Sequence, residues 1–151
     1  MNGAMKLIRN ARLYAPEDLG CMDVLIGGGK ILRIGESLPA EEAYHVEVID
    51  GSGKIMMPGL IDAHIHILGG GGEGGYRTRT PEIMLSDIIC GGVTTVVGCL
   101  GTDGTTRTMT YLIAKARGLE EEGITAYIYT GSYQVPVRTL TGSVADDLIL
   151  L

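Results

Sequence analysis

The chain has 151 residues, 45% of them hydrophobic and 20% charged, with 24 glycines and neither Phe nor Trp. That composition fits a globular protein with enough material for one core, and the clustered glycines indicate tight loops rather than a low-complexity tract. A formal charge of −6 gives no electrostatic basis for binding nucleic acid or an anionic membrane surface.

The three cysteines, Cys21, Cys90 and Cys99, are odd in number and lack a CxxC spacing. They predict reduced thiols in a cytoplasmic protein. No signal-peptide pattern opens the chain, and no apolar run reaches the length of a membrane span.

Residues 6–14 predict a strand, ended by a loop at 15–20. Two short apolar runs, 23–26 and 30–34, flank Gly27-Gly28-Gly29 and predict a hairpin. Residues 46–50 predict another strand, and Gly51-Ser52-Gly53 turns the chain into 54–57. Residues 1–57 therefore predict a small β module, an incomplete sandwich whose strands are too few to bury both faces.

From Pro58 the pattern changes. Residues 60–67 form an apolar run carrying a His-x-His pair, followed by a glycine-rich loop at 69–75 with one acid, Glu73. Alternation along a strand puts Asp62, His64 and His66 on one face. The two imidazoles would then lie roughly 6.5–7 Å apart along the strand, close enough to lean onto one metal ion. A pair of half-buried histidines satisfied by the backbone is the plainer alternative; two at period two before a flexible loop favour the metal. Asp62 would either orient an imidazole or cap the strand end. The glycine loop lacks the Lys-Ser/Thr of a phosphate loop and does not open straight into a helix, which argues against phosphate binding.

Thr80 is placed to cap a helix, with Pro81 at its first position, Glu82 in its first turn and Gly91-Gly92 to end it. Residues 93–99 predict a buried strand, 107–122 a second helix stopped by Gly123, 124–129 a third strand, and 130–142 a loop. Strands and helices alternating in this way predict a parallel sheet with both faces covered. The loops at 69–75, 100–106 and 130–141 all follow the C-terminal ends of strands, where barrels and open sheets place their ligands.

The β module followed by Pro-Gly-Leu-Ile-Asp-Ala-His-Ile-His at 58–66 resembles the opening of the amidohydrolase superfamily. The stretches 13–18, 69–73, 78–82, 100–103 (Leu-Gly-Thr-Asp) and 138–144 (Arg-Thr-Leu-Thr-Gly-Ser-Val) resemble, more specifically, the isoaspartyl dipeptidases. The resemblance implies an α/β fold: an incomplete (β/α)8 TIM-like barrel of about the first three βα units over 58–151, preceded by the N-terminal β module at 1–57. A complete eight-unit barrel takes about 250 residues. It implies zinc as cofactor, two ions in the complete enzyme, with His64 and His66 as ligands of the more buried one. The bridging carboxylated lysine, two further histidines and the general acid/base aspartate of that family have no counterpart here, so the chain is expected to be its N-terminal part and inactive alone.

The resemblance also implies that Gly71, Gly72 and Glu73 hold the substrate, Glu73 taking its free α-ammonium, with Thr102 as a further contact. Tyr133 would be the catalytic hydroxyl that steadies the oxyanion. The implied reaction is hydrolysis of β-aspartyl dipeptides by metal-activated water, in a homo-oligomer without nucleic-acid or membrane partners. Hydrolysis of a cyclic amide, as in dihydroorotase- or hydantoinase-like members, is the alternative, and Glu73 speaks against it because a ring amide has no ammonium. Taken without the resemblance, Glu73 reads equally as a solvated loop acid, Tyr133 as a packing residue, and Thr102 carries no signal.

Overall fold

A computed structural model describes residues 5–39 and 45–151; the parts of the N-terminal reading that fall on 1–4 and 40–44 lie outside the described residues. The chain divides into two compact units, Met1–Pro58 and Gly59–Leu151. Both helices and sheets are present, so the α/β class expected from the sequence holds.

The first unit is one five-stranded sheet. Its strands are β1 (Lys6–Tyr14), β2 (Asp18–Gly27), β3 (Lys30–Gly35), β4 (Glu47–Asp50) and β5 (Ile55–Met56). The order is β3-β2-β1-β4, with β5 also paired to β1. β1, β2 and β3 run antiparallel, whereas β4 and β5 pair with β1 in parallel. Gly28 and Gly29 connect β2 to β3 with φ of 59° and 73°, the double positive φ that a two-residue hairpin turn requires. The turn after β1 is shorter than the sequence suggested. Tyr14 pairs with Asp18, and Asp18 also holds Arg12 at 2.5 Å, so β2 begins inside the expected loop. Leu7, Ala11, Leu13, Val24 and Leu38 form the buried side, and Asp23 among them accepts from the amides of Asn10 and Leu38 at 2.9 and 3.0 Å.

The second unit carries a three-stranded parallel sheet in the order β6 (Leu60–Ile65), β7 (Val93–Gly98), β8 (Thr125–Ile128). Helices α1 (Leu85–Cys90) and α2 (Met109–Glu122) connect these strands, and α3 (Val144–Leu150) follows β8. In α2 the buried residues are Met109, Leu112, Ala116 and Leu119, a stripe at helical spacing that packs with Ile67, Val96, Leu100 and Ala126. Thr108 caps this helix by accepting from the Tyr111 amide, and Gly123 ends it in the left-handed region at φ 112°.

Two expectations need correction. Thr80 does not cap a helix; α1 starts five residues later, after Met84. The reason is competition for its polar groups. The Thr80 amide donates to the Gly70 carbonyl, its hydroxyl accepts from the Gly70 amide, and its carbonyl accepts from Arg107, so this residue is tied into the glycine loop. Nor does the parallel sheet have both faces covered among the described residues. The helices pack on one face, while Tyr127 and Tyr129 on the other remain 61% and 50% exposed. The α3 helix, capped by the Ser143 hydroxyl on the Asp146 amide, had no counterpart in the sequence reading.

Candidate functional site

The candidate residues gather at the C-terminal ends of the three parallel strands. His64 is the penultimate residue of β6 and His66 follows its end. Their rings lie edge to face with centroids 5.5 Å apart, so the period-two spacing does bring them to one side. Of the two roles expected of Asp62, its carboxylate takes the backbone one: it accepts from the His64 amide near the strand end at 3.1 Å. Cys99, just past the end of β7, is held by its amide on the Ile65 carbonyl at 3.0 Å, and its Sγ lies 3.6 Å from His66 Nδ1. Burial, and then the charge of Asp62, push the Cys99 thiol above its ordinary value. Just past β8, Tyr129 donates its hydroxyl to the Ala63 carbonyl at 3.0 Å and tilts against the His64 ring.

The ligand atoms of His64, His66 and Cys99 all lie within 4.8 Å of one another. Two imidazoles and a thiol are donors suited to a borderline divalent ion such as zinc rather than to magnesium or calcium, so the residues present fit a metal. A cavity of about 310 Å³ opens beside them, lined by His64, Cys99, Tyr129 and Tyr133 among others.

The glycine loop after β6 is shaped from beneath by Arg107. This buried side chain donates to four carbonyls, those of Leu68, Gly70, Gly71 and Thr80, at 3.0, 3.3, 3.5 and 2.9 Å. Gly71 sits at φ 71°, and a Cβ there would fall 2.3 Å from the Thr78 carbonyl oxygen, so the loop has room for no side chain at that point. At the loop's outer end Glu73 accepts from the Thr102 hydroxyl at 2.8 Å. Its own backbone amide first, and then that hydroxyl, lower the Glu73 carboxyl below its ordinary range. The two residues line a second cavity of about 510 Å³ together with Gly72, Arg79 and Asp103. Asp103 is lowered to about 2, first by the Thr106 hydroxyl and then by the Thr106 amide, with Arg79 adding at 3.5 Å.

The loop after β8 is organised by Asp147 of α3. Its carboxylate accepts from the amides of Leu140 and Thr141 at 2.8 and 2.9 Å and from the hydroxyls of Thr141 and Thr130. Burial alone raises this carboxyl; the two hydroxyls and two amides reverse that and leave it well below the usual carboxylate range. Tyr133 projects from this loop, 67% exposed.

Of the residues singled out from sequence, the structure places His64 and Tyr133 on the first cavity, with the His66 ring packed against that of His64, and Gly72, Glu73 and Thr102 on the second. Gly71 lies behind them against Thr78. Cys99, Tyr129, Arg107 and Asp147 were missed. Strand parity would have found Cys99 on the histidine side had it been applied to β7; Arg107 and Asp147 sit in polar segments that carry no comparable signal.

No family model matches the chain. A crystal structure of beta-aspartyl dipeptidase from Fervidobacterium islandicum AW-1, in complex with beta-Asp-Leu dipeptide, superposes with a TM-score of 0.90 at 51% identity, over 99% of this chain and 39% of that one. A dihydroorotase of Streptococcus pyogenes is 37% identical over 103 residues, 66% of this chain and 22% of its own length. An allantoinase of Enterococcus faecalis is 43% identical over 75 residues, 48% of this chain and 15% of its own length. The chain thus spans about two-fifths of the dipeptidase and less than a quarter of either of the other two. Over nearly all of its length, in sequence and in fold, the chain is similar to the beta-aspartyl dipeptidases of the amidohydrolase superfamily.

Proposed function

We propose that the protein to which this chain belongs hydrolyses β-aspartyl dipeptides, and that residues 58–151 are the opening three βα units of a (β/α)8 barrel with 1–57 as its accompanying β module. The carrying observation is the Glu73–Thr102 pair beside the histidine strand end, in a chain 51% identical to a dipeptidase solved with beta-Asp-Leu. His64 and His66 would hold the metal, zinc by the softness of the donors present. Such an ion supplies Lewis-acid activation of water and of the amide carbonyl.

The chain's own residues do the rest. Glu73, kept ionised by its backbone amide and by Thr102, meets the substrate's free α-ammonium; the Thr102 hydroxyl, already donating to one carboxylate oxygen, fixes which face of the acid is presented. Gly71 and Gly72 let the loop's backbone approach the substrate without intervening side chains. Tyr133 would donate its phenol to an oxyanion at the scissile carbonyl, a role supported by its position on the wall of the His64 cavity. No helix of the described residues is long and apolar enough to cross a membrane. With three unpaired cysteines, two of them exposed, a reducing cytoplasmic setting is the one we assign.

The test is substrate selectivity in the whole protein. Glu73→Gln is expected to lose β-Asp-Leu cleavage by about 100-fold or more, a loss of the size seen when a charge-assisted contact goes. Turnover of a cyclic amide such as dihydroorotate by the wild type, unaffected by Glu73→Gln, would instead favour the reading closer to the dihydroorotase match.

A further inference from the structure

We propose that Arg107 is a positioning residue for substrate recognition, coupling the loop that carries Glu73 to the loop that carries Thr102 so that the pair meets the substrate's ammonium as one unit. The inference rests on the reading of Glu73 as the ammonium partner and names the residue that sets it in place.

The two loops leave different strands. Glu73 lies on the loop after β6 and Thr102 on the loop after β7, and their tips meet in the 2.8 Å hydrogen bond between the two side chains. An exposed hydrogen bond contributes too little to order two loops by itself. Arg107 joins them at their bases. It stands on Thr102's own loop, just ahead of α2, and its side chain crosses to the other. There Nε donates to the Leu68 carbonyl and the two terminal nitrogens to those of Gly70, Gly71 and Thr80. Leu68, Gly70 and Gly71 belong to the segment that leads into Glu73. Thr80 belongs to the returning segment, where its amide and hydroxyl are bonded to Gly70. Its neighbour Arg79 pairs with Asp103, next to Thr102, at 3.5 Å, which ties the returning segment back to the Thr102 loop.

The backbone leaves no slack in this arrangement. A Cβ at Gly69 would fall 2.3 Å from the Thr80 carbonyl oxygen, and one at Gly71 2.3 Å from that of Thr78, so the outgoing and returning segments lie directly on one another. A displacement of either segment therefore moves Glu73. Arg107 is 3% exposed and lines neither cavity, so it acts through Glu73 and not on the substrate. No carboxylate among the described residues pairs with it, and its donors are directed at these carbonyls. A lysine ammonium has three donors and no planar fork, and it reaches only part of this acceptor set.

The test uses the full protein with zinc supplied and two substrates, β-Asp-Leu and N-succinyl-leucine, the same molecule with hydrogen in place of the ammonium. Arg107→Lys is expected to raise KM for β-Asp-Leu at least about tenfold while kcat stays within about threefold. The preference for β-Asp-Leu over succinyl-leucine in kcat/KM should fall by at least about tenfold. Thr102→Val should raise KM in the wild-type background but add less than about threefold to Arg107→Lys, because the pair it breaks is already misplaced. Arg107→Gln is measured in parallel and should show the same split more strongly; circular dichroism at the assay temperature identifies the variants that are folded. Leu119→Ala, buried in the last turn of α2, lowers stability alone and should leave KM and preference unchanged. Folded Arg107 variants with wild-type KM and preference, equal losses on the two substrates, or effects of Arg107→Lys and Thr102→Val that simply multiply each overturn the inference. A wild type without preference for β-Asp-Leu, or a Glu73→Gln variant that keeps it, overturns the reading of Glu73 itself and the inference with it.

Discussion

The loop at 69–75 and the loop at 129–143 border the same strand ends, and each is held by a buried charge of opposite sign. Arg107, 3% exposed, donates into the first; Asp147, fully buried, accepts from the second. The difference follows from what each loop has to offer. A run of glycines contributes almost nothing but backbone, and with its carbonyls turned inward only a donor-rich cation can satisfy several of them together. The second loop contains Thr130, Ser132, Thr139 and Thr141, whose hydroxyls and amides are donors, so an acceptor-only carboxylate is the matching centre. Among the described residues neither charge relies on an ion pair to stay buried. Loop composition decides the sign of the group that organises it.

The sharpest way to break this comparison is to remove the cation. Arg107→Met leaves four carbonyls without their donor and is expected to cost about 3 kcal/mol in urea unfolding, whereas Arg107→Lys, with three donors but no planar fork, should recover only part. A Met variant within about 0.5 kcal/mol of wild type would show that the glycine loop holds itself.

For the other loop, Asp147→Asn swaps an acceptor-only group for one that presents an amide donor to donors. A fall in melting temperature of about 8 °C is expected. Because folding lowers this carboxyl, its contribution is present above the unfolded carboxylate range near 3.9 and is lost as pH falls below it toward the folded value. The difference between wild type and variant should therefore be constant from neutral pH to about pH 5 and shrink only in stronger acid. A gap that instead closed between pH 6 and 8, on a histidine's range, would assign the effect to another group.

A milder comparison uses one glycine from each loop. Gly71→Ala meets the Thr78 carbonyl oxygen at 2.3 Å, while Gly142→Ala, at φ 90°, meets nothing within 4 Å. About 2 kcal/mol is expected for the first and about 1 kcal/mol for the second, since both suffer the backbone conformation and only one the clash. Equal costs in denaturant titrations would mean that the first loop has slack. The smallest effect belongs to Asp103→Asn. Its carboxyl is lowered to about 2, so its support for the 103–106 turn is present above the unfolded carboxylate range and disappears as pH falls from about 4 to 2. Melting curves of wild type and variant should converge below that window and differ slightly above it.

Much of this was readable beforehand. The hairpin at Gly28-Gly29, the helix end at Gly123 and the parity of the histidines each depend on interactions within a few residues. The misreadings share the opposite property. Thr80 carries every local mark of a helix cap and loses that role to Gly70 and to Arg107, 27 residues downstream. Likewise Cys99 meets His66 across 33 residues, and Asp147 reaches back 17 to Thr130. Polar partners chosen at long range leave no periodicity to detect.

Arg107 reaches back 39 residues to the Leu68 carbonyl, and this span sets an order of events during folding. The histidine strand can form early, but the glycine loop that follows it cannot take its final shape until α1 and β7 exist and the chain has turned toward α2. On the ribosome, His64 and His66 emerge well before the residue that shapes the loop beside them. Until Arg107 has emerged, the loop lacks the donor that gathers its carbonyls, so the setting of Glu73 against Thr102 depends on a residue made later than either.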